Sequence, residues 1–204
     1  MDITPLLEKS MRDHDHICPR QILGVRIGVA GMRALGFAEP PAKKLLYVIS
    51  ETDGCFVDGV IAATDCMVGH RTLRVEDYGK VAVTFVDVRS GRAVRVAPRL
   101  DARERAAAFV PAEPRHYFAQ MQAYQSMPEE ELLTLQEVVL STPIGQVISR
   151  PGLRVNCSAC GEEIINEREV RRDGLALCRA CAGLGYYRAA ADPCPLPELD
   201  ETQP

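Results

Sequence analysis

Eight cysteines in a chain of 204 residues are the chemically informative excess, and they fall into two sets. Near the C-terminal end, Cys157-Ser-Ala-Cys160-Gly161 is followed by Cys178-Arg-Ala-Cys181, with 17 residues between Cys160 and Cys178. Two CxxC pairs at this separation are a zinc signature, because each pair can form a knuckle that aims two thiolates at one point. Gly161 stands where such a knuckle often needs a positive φ. Four thiolates leave no open coordination position, so this metal reads as architectural. The rival reading, a pair of redox disulfides, lacks the βαβ context of a thioredoxin-type CxxC.

The second set lies in the first third of the chain. His14-Asp15-His16-Ile17-Cys18-Pro19 packs two imidazoles and a thiol into five residues just before a predicted helix. His and Cys suit zinc, copper, nickel or iron, and a helix N-terminus lowers the pKa of a thiol. Cys55 and Cys66 follow in TDGCFVDGVIAATDCMVGH, flanking Asp58 and Asp65. These residues suggest a core site joining the HDHxC segment to Cys55 or Cys66. His14, His16 and Cys55 are the candidate metal ligands. Cys18 is a ligand or a neighbouring thiol, and Cys18 and Cys55 are the candidate reactive thiols. Asp15 or Asp58 could orient a ligand imidazole. His70 and His116 read as ordinary surface or core residues.

The elements that must position these residues follow from periodicity and turn chemistry. Residues 4–13 read as a short helix with Thr4 as its cap and Pro5 in the first turn. Residues 18–35 read as a second helix, with Pro19 near its start and Gly36 after its end. Gly24, Gly28 and Gly31 share roughly one side of it, which predicts close approach of another backbone through tight helix packing. Residues 45–50 read as a buried strand, with Cys55 near its end, and 57–64 as a short helix. Residues 81–88 and 93–96 read as the two strands of a hairpin turning at Ser90-Gly91. Residues 101–108, 114–127 and 128–140 look helical. Between the CxxC pairs, residues 163–177 predict a hairpin turning at Asp173-Gly174, and 179–183 a short helix. The expected fold is therefore α+β: a mixed α/β core with antiparallel hairpin strands, plus a small zinc-ribbon or treble-clef module. The expected divisions are a core over 1–145, the zinc module over 153–188 and a proline-rich acidic tail over 189–204.

Composition sets the outer bounds. Hydrophobic residues make up 47% and charged residues 25%, as in an ordinary globular protein. The net charge of -4 and the absence of Trp argue against a nucleic-acid surface, although the arginines of the zinc module are locally basic. No segment approaches the roughly 18 consecutive apolar residues of a membrane span. The first residues lack a basic region followed by an apolar run, which sets the expectation of a cytoplasmic protein. GVRIGVAG lacks the spacing and the preceding strand of a dinucleotide-binding loop.

At HDHICPRQILGVRIG, and again at ETDGCFVDGVIAATDCMVGHRTLRVEDYGKVAVTF, the sequence resembles the formylmethanofuran dehydrogenase E-subunit family. The family pattern pairs an H-G-H-x-C-P-G segment with a Cys-containing segment, and many members end in a zinc module. The resemblance covers roughly residues 10–187. It implies an α+β core, a C-terminal zinc finger and a homodimer. It also implies a pocket that gathers His14, His16, Cys18 and Cys55, with a metal as one occupant. Asp15 and Arg20 stand where the pattern has glycine, and Asp65-Cys66-Met67 replaces Gly-Cys-Thr. The implied role is that of an accessory or regulatory metal-binding subunit beside molybdenum or tungsten enzyme subunits of one-carbon metabolism. The alternative is a stand-alone thiol- or metal-dependent enzyme or redox protein that uses the His14/His16/Cys18/Cys55 site.

Overall fold

The computed structural model describes residues 2–12, 16–42, 44–148 and 152–187. The chain divides into two compact units, residues 1–148 and 149–204. The expected acidic tail over 189–204 lies outside the described residues, as do His14, Asp15 and Cys194.

The first unit is built on helix α2 (Pro19–Ala34). Pro19 occupies the first helical position, where its missing N–H costs nothing. Helix α1 (Thr4–Ser10) precedes it, and Ile3 rather than Thr4 takes the N-cap position. Strand β1 (Leu46–Ser50), helix α3 (Cys55–Thr64) and strand β2 (Leu73–Val75) come next. β1 and β2 pair in parallel, so α3 is the crossover of a βαβ unit. β3 (Val83–Asp87) and β4 (Ala93–Pro98) form the expected antiparallel hairpin, and β3 returns alongside β1. α4 (Ala102–Phe109), α5 (His116–Ser126) and the four-residue α6 (Glu129–Leu132) lead into β5 (Leu133–Val138). β5 pairs antiparallel with β4, which gives the sheet order β2-β1-β3-β4-β5. α7 (Ile144–Val147) follows.

Several elements differ from the sequence reading. The segment 128–140 is not one helix. Only Glu129–Leu132 is helical, and Leu133–Val138 is an edge strand. Its glutamates favour a helix locally, but pairing along the whole of β4 outweighs that preference. β2 is too short to leave a periodicity signal.

Close contact between α2 and α3 organises the core. A Cβ at Gly24 would stand 2.1 Å from Phe56 O, and one at Gly59 2.2 Å from Gln21 O. A Cβ at Gly28 would meet Ala63 Cβ at 2.6 Å, and one at Gly31 would run into the Phe85 ring. The glycine face is thus the tight packing surface that the sequence predicts. The contacts run in step along both helices, so the two are parallel and begin at the same end. Phe56, Phe85, Ile22, Ile27 and Val60 fill the surrounding core. Arg26 ties α2 to the end of α5, donating to Tyr124 O at 2.8 Å and Met127 O at 2.7 Å. Arg95 and Glu51 join β4 to the end of β1 through two hydrogen bonds, at 2.5 and 2.7 Å.

In the second unit β6 (Arg154–Asn156) pairs with β7 (Glu163–Ile165), and β8 (Val170–Arg172) with β9 (Leu175–Leu177). Asp173 (φ 49°) and Gly174 (φ 79°) make the second turn, as their types predict. The single hairpin expected over 163–177 is instead two hairpins, because the β7 segment turns back onto β6. A short helical segment, Ala180–Leu184, kinked at Gly183 (φ 76°), follows Cys178.

The α2–α3 contact yields a direct test. Gly24→Ala should destabilise the protein by about 2 kcal/mol or more, because the new methyl group meets a backbone oxygen that no rotamer change can move. Gly69→Ala, with nothing within 4 Å of its new Cβ, should stay within about 0.5 kcal/mol of the parent. Urea unfolding of both variants checks this. Equal midpoints would show that the helices separate at little cost.

Candidate functional site

Cys18 is the N-cap of α2, and Cys55 is the first residue of α3. Since the helices are parallel and locked together, the two thiols meet: Cys18 Sγ lies 3.0 Å from Cys55 Sγ. The sequence reading puts Cys55 near a strand end, two residues ahead of a helix. In the structure it opens the helix itself, because Gly54 (φ 73°) supplies the backbone reversal just before it. Both thiols are half-buried.

Cys18 is held by a capping box with sulfur in place of the usual hydroxyl. Gln21 N–H donates to Cys18 Sγ at 3.4 Å, and Cys18 N–H donates to Gln21 Oε1 at 2.9 Å. The amide nitrogen of Gln21, fully buried, donates to Ser10 O at 3.1 Å. Gln21 therefore clamps the loop before Cys18 to the end of α1. Sequence reading misses it, although the spacing Cys18-x-x-Gln21 mirrors the capping-box pattern. Tyr117 on α5 also reaches this loop, its hydroxyl donating to Ile17 O at 3.5 Å.

The Cys55 thiol is pushed up to about 11, first by burial and then by the hydrogen bond with Cys18. A Cys18 charge and Asp58 push the same way, and Arg20 opposes them. Cys55 therefore keeps its proton at neutral pH.

Cys66 does not join this pair. It is buried after the end of α3, with its sulfur facing Leu46 O at 3.6 Å. Burial pushes its thiol up to about 11 as well. His16 is exposed two residues before Cys18, and His70 and His116 are exposed too. Among the described residues, no core group of three or more His, Cys, Asp or Glu side chains is gathered closely enough to hold a metal.

The C-terminal cluster is such a group. The sulfurs of Cys157, Cys160, Cys178 and Cys181 all lie within 4.8 Å of one another, and Cys160 Sγ to Cys178 Sγ is 3.9 Å. Four sulfurs at about 2.3 Å around one zinc ion stand about 3.8 Å apart, so the set fits a metal such as zinc. Gly161 takes φ 80° in the first knuckle and its N–H donates to Cys157 O at 2.9 Å. Cys178 N–H donates to Cys157 Sγ at 3.2 Å, and Cys181 N–H to Cys178 Sγ at 3.4 Å. Backbone donors from Cys160 and Cys178 draw the Cys157 thiol down to about 6. The sulfurs of Cys178, Cys160 and Cys157 push Cys181 up to about 12, so four thiolates share this space only around a cation.

Residues 13–134, more than half of the chain, match the family described as "FmdE, Molybdenum formylmethanofuran dehydrogenase operon". A curated protein of Archaeoglobus fulgidus, "Probable S-adenosyl-L-methionine-binding protein", is 31% identical over 206 residues. That match covers 91% of this chain and 54% of the relative, so the chain spans about half of its length. A crystal structure from Syntrophus aciditrophicus, of a protein like the E-subunit (FmdE) of a tungsten formylmethanofuran dehydrogenase, shares the fold with a TM-score of 0.55 at 24% identity. The likeness covers 89% of this chain and 92% of that one.

The separation of Cys66 from the Cys18–Cys55 pair has a pH signature. The folded protein holds the Cys66 proton up to about pH 11, whereas an unfolded chain releases it near the ordinary thiol value of about 8.5. Stability is therefore undiminished below about pH 8.5 and falls as pH rises toward 11. Between pH 8 and pH 10 the parent should lose about 1–2 kcal/mol more than Cys66→Ser in urea unfolding. Parallel losses would place Cys66 in water rather than in the core.

Proposed function

This chain belongs to the FmdE family, and on that premise we propose that it is a metal-binding accessory or regulatory protein of molybdenum- or tungsten-dependent one-carbon metabolism. It works beside an enzyme rather than as the catalytic subunit. The observation that carries the reading is the meeting of Cys18 and Cys55 at 3.0 Å, brought together from segments 37 residues apart. In this reading the two thiols belong to a soft-ligand site whose further candidate ligands are His16 and, outside the described residues, His14. A metal held there would supply Lewis acidity or thiolate exchange. The chain's own contribution is positional: the Gln21 clamp and the glycine contact fix both sulfurs.

The C-terminal cluster holds zinc in this reading, and that zinc is structural. The module has a small core of its own, with Cys157, Ile164, Ala176 and Ala182 buried. Metal binding then supplies most of its folding energy, with about 10–16 kcal/mol available from a structural zinc. The partners proposed are a second copy of the chain and molybdenum or tungsten enzyme subunits. The expected location is the cytoplasm, and among the described residues no helix is long and apolar enough to cross a membrane.

A second reading follows the name of the archaeal relative: binding of S-adenosylmethionine by the half of that protein which this chain spans. Calorimetric titration with S-adenosylmethionine separates the two readings.

Elemental analysis of anaerobically purified protein tests the metal reading. Two metals per chain are expected, one lost in His16→Ala or Cys55→Ser and the other only when Cys157, Cys160, Cys178 or Cys181 is changed. One metal per chain, unaffected by His16→Ala and Cys55→Ser, would overturn the core metal site and leave an architectural zinc.

A further inference from the structure

We propose that Cys18 and Cys55 are a reversible dithiol–disulfide pair, and that closing the disulfide shuts the core site to metal. The second half of this inference rests on the metal reading above, whereas the first half stands without it.

The two sulfurs are 3.0 Å apart, against about 2.05 Å in a disulfide, so closure needs a movement of about 1 Å. Nothing has to unfold for this to happen. The backbones that carry the thiols are held by the Gly24 and Gly59 contacts, and Cys18 is also held by the Gln21 clamp. Side-chain rotation alone can bring the sulfurs together. Both thiols are half-buried and within reach of a small oxidant, with Cys18 at the N-cap of α2 and Cys55 at the first residue of α3. A reactive thiol beside a resolving thiol is the arrangement that redox sensing requires.

The other described cysteines are held apart from this chemistry. Cys66 is buried against Leu46 O, and Cys157, Cys160, Cys178 and Cys181 are gathered around their own centre. Among the described cysteines the pairing is therefore specific to Cys18 and Cys55.

The oxidant is a low-molecular-weight disulfide. Cys18 as thiolate attacks one of its sulfurs, forms a mixed disulfide and releases the first small thiolate. Cys55 then gives up its proton to solvent and attacks Cys18 Sγ, releasing the second. The two small thiolates take up the two protons lost from the protein. Two electrons pass from the dithiol to the oxidant, which is reduced to two thiols. A dithiol reductant reverses both steps.

The 204-residue chain, loaded with zinc, is the material for the test. It is equilibrated with oxidised glutathione, alkylated, digested and examined by mass spectrometry. The expected product is a peptide pair joined through Cys18 and Cys55, lighter by two hydrogens and lost on adding dithiothreitol. Cys55→Ser should give a glutathione adduct on Cys18 with no joined pair, and Cys66→Ser should behave as the parent. If both thiols remain free to alkylate under an excess of oxidised glutathione, or if either joins a third cysteine instead, the pairing is overturned.

Cobalt(II) added to the reduced and oxidised chain tests the gating. Thiolate-to-cobalt absorption beyond that of the C-terminal cluster is expected only in the reduced chain. Equal absorption in both forms would overturn the gating. Its absence from both, with the disulfide still forming, would overturn the metal reading and leave the redox pair standing.

Discussion

The chemistry of the core depends on a backbone-to-backbone contact between two parallel helices. At Gly24 and Gly59 the helices approach more closely than any side chain permits. Glycine in a helix costs about 1 kcal/mol relative to alanine, and here it permits dispersion contact along both helices and a fixed register between them. Register is what matters for the site. A slip of one helical turn would move one sulfur about 5.4 Å along its axis and separate the thiols. The glycines therefore position the cysteines without touching them.

The sheet explains why α3 runs parallel to α2. A helix that crosses between parallel strands must lie on a face of the sheet, and α3 leads from β1 to β2 in this way. α2 packs beside it and reaches β3 through Gly31 and Phe85, and also touches β4. The start of α3 then falls just beyond the C-terminal end of β1, a strand with neighbours on both sides. Cys66 is carried to the other end of α3 and into the core. One segment thus holds two cysteines with opposite fates: Cys55 accessible and paired, Cys66 buried and inert.

The C-terminal unit is held by different means. Its strands are three residues long and its apolar core is small. Such a unit is too short to bury enough surface by itself. The four sulfurs replace that missing core. Hydrogen bonding among the neighbouring sulfurs pushes the Cys181 thiol up, and a cation at their centre would let all four serve as thiolate ligands.

Much of this is legible in the residues. The spacing of Cys157, Cys160, Cys178 and Cys181 announces the four-sulfur cluster, because each CxxC pair can form a knuckle that aims two sulfurs at one point. Pro19 and Gly36 mark the ends of α2, and Asp173-Gly174 marks a turn, because these residues carry their backbone preferences with them. The glycine face of α2 announces a close neighbour without naming it. Tertiary structure alone decides which cysteine partners Cys18. Cys55 and Cys66 are alike in sequence, and one helix length separates the accessible start of α3 from its buried end. The same holds for 128–140, where local preference suggests a helix and the open edge of β4 imposes a strand. Local geometry travels with residue type, but adjacency is settled only when a glycine contact or a strand edge closes the distance.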